Sequence, residues 1–108
     1  MTLSELKNTL SSISGFSTKV AYRAFPVGKA PKLPFICYLA TDTDNFDADN
    51  RVYHVVQNVD VELYTAKKSE ATEALVEKKF AEVGIVWDKM EQYLEDQNCY
   101  EILYEISI

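Results

Sequence analysis

Hydrophobic and polar positions along the chain follow two periods, and the longest patterned stretch runs from Asp49 to Thr65. From Gln57 onward, Val59, Val61 and Leu63 fall on one face and Asn58, Asp60, Glu62 and Tyr64 on the other. A period of two with β-branched residues predicts a strand with one buried face. The earlier half differs, because Val52, Tyr53, Val55 and Val56 make it apolar on both faces. Fifteen residues from Arg51 to Thr65 span roughly 50 Å at about 3.3 Å each, whereas most strands have five or six residues. Either Asn58 marks a bulge within one sheet, or the first half projects from the domain as an arm. An arm apolar on two sides needs a second partner to cover it.

The remaining elements fall around this stretch. Leu3, Leu6, Leu10 and Ile13 recur at helical intervals, Thr2 and Glu5 have capping-box spacing, and Gly15 stops a helix predicted over 3–13. Residues 19–25 read as a strand with Val20, Tyr22 and Ala24 inward and Lys19 and Arg23 outward. Three prolines and a glycine make 26–34 a loop. Residues 35–41 are a short, almost wholly apolar strand, and the acidic stretch 42–50 reads as a hairpin loop. Ser69 caps a helix over about 70–83, with a stripe through Thr72, Leu75, Val76, Lys79, Phe80 and Val83, and Gly84 follows it. Glu70, Glu73, Lys78 and Lys79 read as solvated charges. Residues 88–98 carry both periods; a strand to Leu94 with a turn at 96–98 is the favoured reading. Tyr100, Ile102, Tyr104, Ile106 and Ile108 then share one face of a final strand. The short connections predict an α+β domain, residues 1–108, in which one mostly antiparallel sheet carries two helices packed on one face.

Composition narrows the function classes. The chain has 108 residues, enough for one modest core, and a net charge of −6, which argues against general nucleic-acid binding. Residues 1–34 hold five Lys or Arg and one acid, whereas 35–108 hold six basic and sixteen acidic residues. Chance accounts for such asymmetry, and so does a basic patch that meets an acidic patch on the next copy. Asp60 and Glu62 would share the outward face with Glu101 and Glu105, a destabilising arrangement. Either the strand bearing Lys19 and Arg23 lies between them, or that face meets a basic partner. The N-terminal residues lack a signal-peptide pattern, and no window is long and apolar enough to span a membrane. Cys37 and Cys99 read as buried, reduced thiols.

Candidate chemistry is sparse. Asp42 and Asp44 match the start of a calcium loop, but Phe46, Asp47 and Tyr53 stand where an oxygen ligand, a glycine and a glutamate are required. The one histidine, His54, lies mid-strand, and the three glycines do not cluster into a phosphate loop. Asp60 and Glu62 with Lys67 loosely echo a metal-dependent nuclease, with Tyr64 where a strand lysine would be needed. No catalytic, cofactor or metal site is expected.

An ordered set of segments carries a resemblance instead. It comprises Leu33-Pro34-Phe35-Ile36-Cys37-Tyr38, then Phe46 through Tyr53, then Val59-Asp60-Val61-Glu62-Leu63-Tyr64-Thr65, the helix with Glu73 and Glu77, and Tyr100 through Ile106. In order and spacing these cover most of the chain. Together they resemble the small tail-completion proteins of siphophages and prophages of Gram-positive bacteria, a family similar to tail-terminator and tail-to-head joining proteins. The resemblance implies a small α+β subunit without enzymatic activity, made in the host cytoplasm and built into the virion. It implies a homo-oligomer, a six-membered ring, on the head-proximal end of the tail. Its partners would be the major tail tube protein and the head connector, with no cofactor, no specific nucleic acid and no membrane. The candidate contact residues are Lys19, Arg23, Lys29 and Lys32 on the basic side, and Asp47, Asp49, Arg51, Val52, Tyr53, Val55 and Val56 in the long stretch. The acidic stretch 42–49 is a candidate wall for a DNA-conducting lumen.

Overall fold

The structure is a computed structural model that describes residues 1–48 and 51–108, with side chains described for 1–45 and 55–108. Helix α1 spans Leu3–Ser11. Thr2 and Glu5 form the expected capping box: the Glu5 amide donates to Thr2 Oγ1 at 3.1 Å, and the Thr2 amide donates to Glu5 Oε1 at 2.9 Å. The helix ends two residues before Ile13, which packs from the following turn with Phe16. Five strands follow: β1 (Val20–Tyr22), β2 (Phe35–Ala48), β3 (Arg51–Thr65), β4 (Trp87–Leu94) and β5 (Cys99–Ser107). Helix α2, Glu70–Glu82, connects β3 to β4.

The strands form one sheet in the order β1-β2-β3-β5-β4. The fold is α+β, and every pairing is antiparallel except β1 with β2. That parallel pair corrects the reading of an inward-facing strand over 19–25. Arg23 has φ +66°, a left-handed backbone that ends β1 at Tyr22. Val20 is buried, but Tyr22 is half-exposed at the sheet edge and Ala24 is exposed.

Register places Ile36, Leu63 and Ile102 in one row and Tyr38, Val61 and Tyr104 in the next. Leu6 and Leu10 of α1 and Val76 and Phe80 of α2 belong to the same buried cluster as these residues. Each such side chain contributes about 1.5–3 kcal/mol through burial. The end of α2 is fixed by a Schellman motif: the Ile85 amide donates to the Phe80 carbonyl at 2.8 Å, and Gly84 takes φ +75°. The stripe of α2 is rotated from expectation. Leu75 and Val83 are exposed, and Glu73, Val76 and Phe80 are buried.

The largest correction concerns the acidic stretch. It is not a loop up to its end, because β2 continues to Ala48 and pairs with β3 throughout. The arm alternative for the long strand holds, and bulges are present, but Asn58 is not one of them: it pairs with Asp42. The register slips between Ala40 and Asp42, leaving Thr41 as an extra residue on β2 opposite the Val59–Asn58 step. It slips back between Phe46 and Asp47, where Tyr53 is the extra residue on β3. Beyond the pairing of Gln57 with Ile108, β3 has only β2 as a neighbour among the described residues, so a two-stranded arm leaves the sheet.

Candidate functional site

The strand positions that alternate with the buried cluster carry the densest unusual chemistry. Register sets three rows on it. Leu39, Asp60, Glu105 and Asp88 form one; Cys37, Glu62, Leu103 and Met90 the next; Phe35, Tyr64, Glu101 and Gln92 the third. The first row puts three carboxylates, Asp60, Glu105 and Asp88, on adjoining strands, and Glu62 and Glu101 follow in the second and third rows. The Tyr64 hydroxyl donates to Glu62 Oε2 at 2.8 Å, and Gln92 Nε2 donates to Glu101 Oε1 at 2.8 Å. Burial, and then the hydrogen bond with Glu101, push the Glu62 carboxyl up to about 7, against the pull of the Tyr64 hydroxyl. Asp60 is also raised, by burial and then by Glu101 and Asp42. Among the described residues, Asp60, Glu62, Glu101 and Glu105 have no ion-pair partner.

The bulge at Thr41 extends this acidic face. Asp42 pairs with Asn58, an outward position of β3, so Asp42 and Asp44 join the outward side instead of continuing the core side of Ile36, Tyr38 and Ala40. Asn58 Nδ2 donates to Asp42 Oδ1 at 2.9 Å and to Asp44 Oδ2 at 3.0 Å. Ser107 Oγ donates to Asn58 Oδ1 at 2.7 Å, which ties the base of the arm to β5.

A second charged group lies on the core side. Glu73 is 3% exposed. Lys68 Nζ donates to its Oε2 at 2.7 Å and Lys89 Nζ to its Oε1 at 3.0 Å. Lys89 also donates to Glu77 Oε2 at 2.8 Å, which accepts from the Tyr104 hydroxyl at 2.7 Å. Burial alone would raise the Glu73 carboxyl, but the two lysines outweigh it and hold it below the usual carboxylate range. The charge on Glu73 is thus neutralised inside the fold. The helical spacing alone placed it in solvent. The signal lay in β4, where Trp87, Lys89 and Glu91 alternate on the face that turns toward α2, so buried charges there required partners.

The expected contact residues are placed as follows. Lys19 is half-buried, and Arg23, Lys29 and Lys32 are exposed. They do not lie between the outward carboxylates, because β1 is at the edge away from β5. Of the long-stretch residues, Val55 is 55% exposed and Val56 half-buried. The side chains of Asp47, Arg51, Val52 and Tyr53, with all of Asp49 and with the side chain of His54, lie outside the described residues. Cys37 and Cys99 are free and buried, as expected. Burial, and then Glu62, push the Cys37 thiol up to about 11, so it is protonated at neutral pH. The chain matches no known family model and no curated protein.

Proposed function

We propose that this chain is a non-enzymatic structural subunit of a bacteriophage virion. In this reading it forms a ring on the head-proximal end of the tail, stops growth of the tail tube and joins it to the head connector. The observation that carries the reading is the two-stranded arm, which runs past the end of β5 with Val55 exposed on it. An isolated two-stranded ribbon is marginal in water and gains stability by packing on another surface. Residues of both helices join the one buried cluster, and the face bearing Asp60, Glu62, Glu101 and Glu105 would be left for neighbouring subunits. The resemblance of the Leu33–Tyr38 and Val59–Thr65 segments to tail-completion proteins supplies the identity of the assembly.

Electron microscopy of a phage lysate carrying an early stop codon in this gene tests the reading. Overlong tails beside detached, filled heads are the expected result. Tails of normal length beside heads that leak DNA would move the subunit to the capsid side of the neck. Intact, infectious particles would remove it from the virion and leave a small binding module.

A further inference from the structure

The outer end of the sheet holds a groove of about 860 Å³ between the base of the arm and the turn from α2 into β4. Asp42, Asp60, Asp88 and Glu105 line it, together with the apolar Val59 and Val86. Val86 is 86% exposed. Among the described residues, no lysine or arginine lines this groove.

The matching feature lies in the loop beside the Phe35 end of β2, where the Phe25 and Phe35 rings pack 5.2 Å apart. The Lys29 amide donates to the Pro26 carbonyl at 2.8 Å, and Gly28 has φ +76°. This is a closed turn of the kind that needs glycine at its third position. Its second residue, Val27, is 103% exposed. A fixed turn that holds an apolar side chain wholly in water, followed by the exposed Lys29 and Lys32, has the shape and charge of a plug. Among the described residues, neither lysine has an ion-pair partner, so both charges are available to a partner surface, as are those of Lys7, Lys19, Lys67 and Lys78.

The plug does not fill the groove of its own chain: no residue of the 26–32 turn is among those that line it, and Val27 is wholly exposed. We infer that the 26–32 turn of one copy docks in the groove of the next, with Val27 against Val86 and Lys29 and Lys32 against the carboxylates. The inference deepens the ring reading and rests on it for the choice of a second copy as occupant. Plug and groove are different surfaces, so the contact is head-to-tail and propagates around a closed ring. One turn buries less than the roughly 1,000 Å² expected of a stable pair, so the isolated contact is weak and salt-sensitive.

Two exposed positions make the test direct. Purified V27C and V86C proteins are mixed at high concentration and treated with a short bis-maleimide, the native thiols being buried. The expected product is a 27–86 heterodimer, about tenfold more abundant than the 27–27 or 86–86 products. Adding K29E and K32E to the V27C chain should abolish it, and adding D88K and E105K to the V86C partner should restore it. Equal yields of all three products, or a charge reversal without effect, would overturn the contact. So would sedimentation that finds oligomers with no 27–86 product, an outcome that leaves the ring reading standing. Intact virions made without the gene would overturn the ring reading while a 27–86 product upheld the contact.

Discussion

Two groups of carboxylates lie on opposite sides of the same sheet, and the protein treats them in opposite ways. On the core side, Glu73 is almost wholly buried yet ionised, because Lys68 and Lys89 donate to both its oxygens. On the outward side, Glu62 is only half-buried, but its nearest partners are Glu101 and the Tyr64 hydroxyl, and it holds its proton up to about 7. Exposure alone would rank them the other way. What decides is whether the fold supplies a cation. Charge satisfied within the chain is structural, and charge left unsatisfied on a flat strand face is available to a partner.

The same substitution should therefore act with opposite sign at the two sites. Glu73→Gln removes two charge-assisted hydrogen bonds and leaves two ammonium groups facing a neutral amide, at an expected cost of about 2–3 kcal/mol in urea unfolding. Glu62→Gln replaces a raised carboxyl with an amide that donates to Glu101. At pH 8 it should stabilise by about 1 kcal/mol once solvent screening is allowed for, some 4–8 °C in Tm. A loss of stability at both positions would collapse the comparison.

The pH profile follows from the same pair. A carboxyl raised on folding contributes stability that is full below its unfolded value near 4.5 and is lost as pH rises through about 7. Glu73, lowered on folding, contributes stability present above 4.5 and lost as pH falls below it. Calorimetry should find the highest Tm on the acid side of neutrality, at about pH 5–6, and Glu62→Gln should flatten the fall toward pH 8.

A smaller effect is expected at the base of the arm. Asn58→Ala strips the shared donor from Asp42 and Asp44 at an exposed site and should cost about 1 kcal/mol. Smallest of all, raising salt to about 1 M should stabilise by a few tenths of a kcal/mol as it screens the outward carboxylates.

The sequence carried the elements whose signal is local. The capping box at Thr2 and Glu5, the Schellman end at Gly84, the alternation through Leu63 and the final strand all appear where period and cap placed them. It did not carry what depends on a neighbour in space. Asp42 and Asp44 read as loop because acidic residues favour turns, yet pairing with β3 and the Asn58 amide hold them in a strand. Helical spacing puts Leu75 inside and Glu73 outside, because Leu75 is apolar and Glu73 is not; the structure has them the other way round. Two lysines, one before α2 and one in β4, reverse that ranking. Arg23 has no feature that announces a left-handed backbone. The crowding of outward carboxylates is legible in the sequence, but strand order excludes relief from Lys19 and Arg23, because β1 lies at the edge beyond β2.

The two slips along the arm cancel. Ala40 with Val59 and Asp47 with Val52 keep one register, and only the stretch between them is displaced. In the grammar of insertions and deletions, Thr41 and Tyr53 are spare letters, one on each strand. Deleting Thr41 removes the bulge but leaves every later residue of β2 facing as it did. Deleting Asn58 from β3, where no residue is spare, turns over the side chains that follow toward the tip. The arm therefore tolerates odd changes of length only at its bulges, and elsewhere can grow or shrink only two residues per strand at a time.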